Sequence, residues 1–309
     1  MVRRLILDCD PGHDDAVAIL LAAGTPALEL VAITTVAGNQ ILEKTTDNAL
    51  KICEIAGLEA PVAAGCSGPL AGNRLTASAI HGESGLDGPY FPPPSKQASA
   101  EHAVELMRRL LESDGPLVLV ATGPLTNVAT LLRKYPQVVP QIEEIVIMGG
   151  STGRGNWTPY GEFNIVADPD AADIVFRSGV PLTMCGLNVT HQALVTPAVI
   201  EEFRAVGSGL ADIVVELMTF FQQTYRSVFN MPYPPLHDPV AVARVIAGDE
   251  VVSCISRDVA IELDGRHTRG ATVVDLDRVG SGTNFVQVAT ELRTDVFWRL
   301  VVEAVARLS

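Results

Sequence analysis

The stretch Leu5-Ile6-Leu7-Asp8-Cys9-Asp10-Pro11-Gly12-His13-Asp14-Asp15-Ala16-Val17-Ala18-Ile19-Leu20 runs apolar, ends in aspartates, turns, meets two more aspartates and runs apolar again. The first run has the length and branching of a buried strand. Pro11-Gly12 breaks it. Asp14 and Asp15 suit the first turn of a helix, where the macrodipole favours carboxylates. Three or four carboxylates therefore gather at the C-terminal end of a first strand, the edge at which open α/β sheets bind ligands. Charges of one sign packed this closely need compensation. Oxygen-only donors on a tight turn suit a hard cation such as Ca²⁺ or Mg²⁺. One aspartate would read as a helix cap; Asp10, Asp14 and Asp15 together read as a site.

Working outward, strand-like and helix-like segments alternate. Leu30–Val36 reads as a second strand ending in Ala37-Gly38-Asn39, Ile41–Ala56 as a helix, and Pro61–Gly65 as a short third strand. A Gly/Pro/Ser-rich stretch from Cys66 to Ser95 contains His81 and reads as a long functional or mobile loop. Helical spacing covers Ser99–Leu111. Buried strands at Leu117–Ala121 and Glu144–Met148 follow, then Pro181–Cys185. Pro197–Phe229 is mostly helical, and further strands fall near Val259–Leu263, Gly270–Val274 and Asn284–Val288 before a helix from Asp295. This alternation predicts an α/β fold: an open, mostly parallel sheet with helices on both faces. No linker, repeat or charge block divides the chain, so 1–309 reads as a single domain.

The 309 residues carry a net charge of −14, the opposite of what a nucleic-acid or anionic-membrane surface requires. Five scattered cysteines show no zinc spacing and read as free thiols, so a cytoplasmic location is expected. The apolar run after Arg3-Arg4 is too short for a signal peptide, and no stretch approaches a membrane span. Neither GxGxxG after the first strand nor GxxxxGK[ST] occurs, which weakens a nucleotide reading.

Successive strands end in polar groups: Asp10, Asn39, Thr126 and Asn127, then Met148 leading into Asn156, Glu162 and Asn164. Acceptors beside amides that both donate and accept suit the vicinal hydroxyls of a sugar. Taken singly, Asn156 is as readily a loop-stabilising side chain.

Here a family resemblance enters. Asp8-Cys9-Asp10-Pro11-Gly12-His13-Asp14-Asp15-Ala16 resembles the signature of the nucleoside hydrolases, the inosine–uridine-preferring group in particular. Ala37-Gly38-Asn39, His81-Gly82, Gly123-Pro124-Leu125-Thr126-Asn127, Met148-Gly149-Gly150, Gly155-Asn156-Trp157-Thr158-Pro159, Glu162-Phe163-Asn164 and His237-Asp238-Pro239 resemble the family's other blocks, in order. The resemblance implies the nucleoside hydrolase fold with its Rossmann-like core. It also implies cleavage of ribonucleosides to ribose and free base in nucleoside salvage, and a homotetramer or dimer. It implies one Ca²⁺ held by Asp10, Asp15, Asp238 and the carbonyl of Thr126. Ribose would be held by Asp14, Asn39, the Met148 backbone, Asn156, Glu162, Asn164 and Asp238. Asp10 would take the proton of the attacking water, and His237, whose ordinary pKa lies near neutrality, would protonate the leaving base.

His81 is a candidate contact to the base or the 5′-hydroxyl. Trp157, Phe163, Tyr225 and Phe229 are candidate base contacts, although core packing more commonly explains such aromatics. His13 reads as structural, and His102, His191 and His267 belong to no motif. The preferred base, whether inosine, uridine or cytidine, stays open. Two rivals remain: a haloacid-dehalogenase-like phosphatase, suggested by Asp8-Cys9-Asp10 but lacking a downstream lysine motif, and a non-catalytic nucleoside or pentose binder.

Overall fold

In the computed structural model, which describes residues 2–280 and 282–309, the opening apolar run forms β1 (Arg3–Cys9) and the aspartate turn leads into α1 (His13–Gly24). Side chains alternate across β1. Leu5, Leu7 and Cys9 enter one hydrophobic cluster and Ile6 the other, as a strand buried on both faces requires.

The other strands are β2 (Leu28–Thr35), β3 (Val62–Ala64), β4 (Leu117–Ala121), β5 (Ile142–Met148), β6 (Leu182–Cys185), β7 (Val252–Ile261), β8 (Thr272–Val274) and β9 (Phe285–Leu292). The helices are α2 (Leu42–Ile55), α3 (Ser78–His81), α4 (Ala103–Asp114), α5 (Thr126–Lys134), α6 (Phe163–Ala167), α7 (Pro169–Phe176), α8 (Leu187–Thr190), α9 (Pro197–Val206), α10 (Gly209–Phe229), α11 (Asp238–Ala247) and α12 (Thr294–Arg307).

Nine strands form one sheet in the order β3-β2-β1-β4-β5-β6-β9-β7-β8. Pairing is parallel from β3 through β9, and β7 runs antiparallel to both β9 and β8. The expected open α/β sheet is thus present, with an antiparallel edge. One cluster packs α1, α2 and α9 to α12 on one face; the other packs α4, α5 and α7 on the opposite face.

Two details depart from the sequence reading. The helix expected from Ser99 starts at Ala103, because the Ser99 N–H donates to the Val62 carbonyl at 2.7 Å and extends the β3 edge. His102, without a role in the motifs, caps that helix: its Nδ1 accepts from the Val104 N–H at 3.2 Å. The strand expected near Val259 begins at Val252, because β9 pairs along its length. Among the described residues no helix is long and apolar enough to cross a membrane.

From β1 the chain steps to β2 and β3 on one side, then returns to β4 on the other. The carboxyl ends of β1 and β4 therefore flank the crevice that a reversal of strand order creates.

Phe297 of α12 is fully buried and packs edge-to-face on Trp298 at 4.9 Å. Phe297→Ala should destabilise the protein by about 3–5 kcal/mol, seen as a lowered urea midpoint; an unchanged midpoint would contradict the packing described.

Candidate active site

The crevice is a cavity of about 510 Å³, open mouth included. Each parallel strand near the switch sends a polar group to it: Asp14 after β1, Asn39 after β2, Thr122 after β4, and Asn156, Glu162 and Asn164 after β5, with Met148 at the end of β5 beside them. His81 of α3, Tyr225 and Phe229 of α10, and His237 and Asp238 at the start of α11 close it from above.

The floor is acidic. Oxygens of Asp14, Asp15 and Asp238 lie within 4.8 Å of one another, all buried. Asp15 is the best held. It accepts from the Gly12 N–H at 3.0 Å, from Asn39 Nδ2 at 3.1 Å and from the Thr122 hydroxyl at 2.8 Å. Asp10 is fully buried behind this group and does not line the cavity. Its Oδ2 accepts from the Asn39 N–H at 2.6 Å, while Oδ1 has no partner. Asp14 Oδ1 is likewise unpartnered.

Burial, reinforced by the neighbouring carboxylates, raises Asp10 and Asp238 well above the usual range and Asp14 to about 7. Neither lysine nor arginine lines the cavity among the described residues. Bare carboxylate oxygens in a donor set made only of oxygen fit a hard divalent cation.

The structure corrects one implied ligand. Thr126 does not reach the carboxylates. It opens α5, its hydroxyl donates to Asp168 at 2.7 Å, and its carbonyl accepts from the Thr130 hydroxyl at 2.7 Å. Thr122, four residues earlier and just past β4, lies against Asp15 instead. Its hydroxyl holds Asp15 and its carbonyl accepts from Asn164 Nδ2 at 2.7 Å.

The sugar-binding candidates come together, but several already have internal tasks. Asn39 ties Asp10 to Asp15. Asn164 Nδ2 also engages the Met148 carbonyl at 3.0 Å. Asn156 Oδ1 accepts from the Phe163 N–H at 2.9 Å, the loop-stabilising role. Glu162 caps α6, taking the Asn164 and Gly150 N–H groups at 2.9 Å, while burial raises its carboxyl to about 7.

His237 sits between two hydroxyls, Thr190 Oγ1 at 2.7 Å from Nδ1 and Tyr225 at 2.8 Å from Nε2. Burial, then the nearby His191, pushes its pKa well below the usual range, so the resting ring is neutral. His191, without a role in the motifs, packs 5.6 Å from the His237 ring. All four candidate aromatics line the cavity, Trp157 edge-on to Phe163 at 5.1 Å. His81 is not in a structureless loop: it ends α3, buried. Thr122, Ile80 and Phe221 also line the cavity and escaped the sequence reading.

With this geometry in view, comparison with known proteins is direct. Residues 5–299 match the family model described as "Inosine-uridine preferring nucleoside hydrolase". The pyrimidine-specific ribonucleoside hydrolase RihA of Photobacterium profundum is 45% identical over 309 residues, covering 99% of both chains. That of Shewanella woodyi is 49% identical over 278 residues, 89% of each. Among solved structures, the purine-preferring ribonucleoside hydrolase from Gardnerella vaginalis superposes with a TM-score of 0.92 at 34% identity over 99% of each chain. An inosine-guanosine nucleoside hydrolase gives 0.90 at 28% identity over 98% of each. The chain belongs to the inosine-uridine preferring nucleoside hydrolase family and is a nucleoside N-ribohydrolase.

Proposed function

We propose that this hydrolase cleaves pyrimidine ribonucleosides in preference to purine ones, with a calcium ion in the carboxylate floor. The observation that carries the reading is the acidic floor beneath a ring of amides, carboxylates and aromatics, in a cavity of about 510 Å³. The base preference draws on the pyrimidine-specific relatives, which are closer in sequence than the purine-preferring structure.

Asp10, Asp15, Asp238 and the Thr122 carbonyl would hold the ion, with Asp14 beside it toward the ribose. When bound, such an ion supplies Lewis acidity, lowering the pKa of a water and fixing sugar hydroxyls. Asp10 Oδ1, free of hydrogen bonds, accepts the proton of the attacking water. Asp14, Asn39, Asn156, Glu162, Asn164 and the Met148 backbone position ribose, and the nearby carboxylates favour the oxocarbenium-like charge that develops there. Asn39 and Asn164 also keep the floor rigid. His237 serves the leaving base through Tyr225, whose hydroxyl bridges the ring nitrogen and the cavity. Because His237 is neutral at rest, its role is to pass a proton on as the bond breaks. Trp157, Phe163 and Phe229 frame the base.

Free ribose from a panel of uridine, cytidine, inosine and adenosine should be highest for the pyrimidines and vanish with chelator. Inosine preference would refute the assignment. Asp10→Ala should lower kcat by about 10²–10⁴-fold; near-normal turnover would remove Asp10 from its role.

A stability test is independent of turnover. Asp14 and Glu162 titrate at about 7 in the folded protein, against about 4 in the unfolded chain. The folded state holds these protons longer, so stability is full below about pH 4 and lost as pH rises through about 7. Chelator-treated protein should melt lower at about pH 8 than at about pH 5, with calcium restoring more at the higher pH. A pH-independent calcium effect would argue against a site for the ion beside Asp14 in the carboxylate floor.

A further inference from the structure

Thr190 ends α8, is fully buried, lies outside the cavity lining and belongs to no motif of the sequence. Its main chain is firmly held. The Leu187 N–H donates to the Gly150 carbonyl at 2.9 Å, and Asn188 Nδ2 donates to the Ala289 carbonyl at 2.7 Å, which ties α8 to the loop after β5 and to β9. Just beyond α8, residues 193–195 run antiparallel to residues 234–236. The Leu236 N–H donates to the Ala193 carbonyl and the Val195 N–H to the Pro234 carbonyl, both at 2.9 Å. This ladder returns the chain to α8 one residue before His237, and it uses neither the Thr190 nor the His237 side chain.

The Thr190 hydroxyl lies 2.7 Å from His237 Nδ1 and has no other partner among the described residues. A buried hydroxyl places its proton on an acceptor. Helical threonines elsewhere in the chain use the carbonyl four residues back, as Thr130 and Thr219 do at 2.7 Å. For Thr190 that carbonyl is Gly186, already taken by the N–H groups of Val189 and Thr190, each at 3.0 Å. Nδ1 of His237 is the acceptor that remains. A ring nitrogen that accepts carries no proton, so the ring proton is on Nε2. Nε2 lies 2.8 Å from the Tyr225 hydroxyl, which therefore accepts from it. Tyr225 lines the cavity, and among the described residues its hydroxyl meets no other group, so its own proton is left for the cavity. The opposite order, from Tyr225 to Nε2 and from Nδ1 to Thr190, would strand the Thr190 proton in a buried place at a desolvation cost.

We infer that Thr190 is a positioning residue for the leaving-group chain: its hydroxyl holds His237 Nδ1, so that Nε2–H backs Tyr225 and Tyr225 turns its proton to the base. The inference rests on the nucleosidase reading. When the bond between ribose C1′ and the base nitrogen breaks, its electron pair stays on the base. Water supplies hydroxide to C1′ and, in the net balance, a proton to the base. Until that proton arrives, the base carries developing negative charge. A hydroxyl that accepts one hydrogen bond while donating another is the stronger donor, and it is fixed in place before the charge appears. The protons of the chain thus all point toward the cavity, the direction in which His237 hands one on.

The test pairs spectroscopy with kinetics on the calcium-loaded protein. Long-range ¹⁵N–¹H correlation on [¹⁵N]histidine-labelled protein, with His237→Gln to assign the signals, should place the His237 proton on Nε2. Thr190→Val keeps the side-chain shape and removes the hydroxyl. It should lose that single tautomer and at least about tenfold in kcat on uridine, with KM little changed. On 4-nitrophenyl riboside, whose leaving group needs no donor, its kcat should stay within about threefold of wild type. Thr190→Ser, which keeps the hydroxyl, should restore both the tautomer and turnover of uridine. A wild-type His237 proton on Nδ1, equal losses on the two substrates, or full uridine turnover in Thr190→Val overturns the inference. Should Thr190→Val not fold, the wild-type tautomer still decides. Wild-type ribose release from uridine tests the nucleosidase reading separately, because the tautomer is read without turnover.

Discussion

Mutual repulsion among buried carboxylates is the constraint on which the site depends. Asp10, Asp14, Asp15 and Asp238 crowd a buried floor, and among the described residues neither lysine nor arginine lines the cavity. In such a medium unpaired charges are costly. The surroundings compensate as far as neutral groups can: the Gly12 N–H, the Thr122 hydroxyl and both nitrogens of Asn39 point at carboxylate or carbonyl oxygens. Two oxygens remain bare, on Asp10 and Asp14. A cation is the remaining compensation, and the polar cradle holds the carboxylates ready for it. The arrangement exchanges stability without the ion for preorganisation with it.

The sheet makes this crowding feasible. A strand-order reversal between β1 and β4 opens a crevice at their carboxyl ends, and parallel strands deliver one loop after another to the same edge. Asp8 supports that edge from within β1. It accepts from the Thr34 hydroxyl at 2.7 Å and from Asn127 Nδ2 at 2.8 Å, linking β1, β2 and α5 just below the floor.

Much of this was legible in the sequence where the signal is local. Apolar runs bounded by glycine, proline and polar groups located β1, β2, β4 and β5. Asp10, Asp14, Asp15 and the loop amides were singled out by their places at strand ends, and the family resemblance added Asp238. Legibility ended where two residues of one type share a segment. Thr122 and Thr126 flank the same turn, and only the backbone path shows that one faces Asp15 while the other opens a helix. It ended also where contact depends on packing between distant elements. Nothing near His191 announces that its ring meets His237. Nor does the motif show that His13 would be clasped by Phe220, Phe221 and Asp87. Asn39 and Glu162 were recognisable as polar groups at the site, but their internal hydrogen bonds were not.

The packing of α1 against α11 carries a consequence for how the protein reaches its native state. Asp15 and Asp238 are 223 residues apart in the chain, and α1 packs on α11 across that span. Closing so long a stretch carries an entropic cost that local contacts cannot offset early. Local contacts cannot form this locus alone, so a cation captured there would act as a latch on chain segments far apart in sequence. Its grip would slow unfolding far more than it would speed folding.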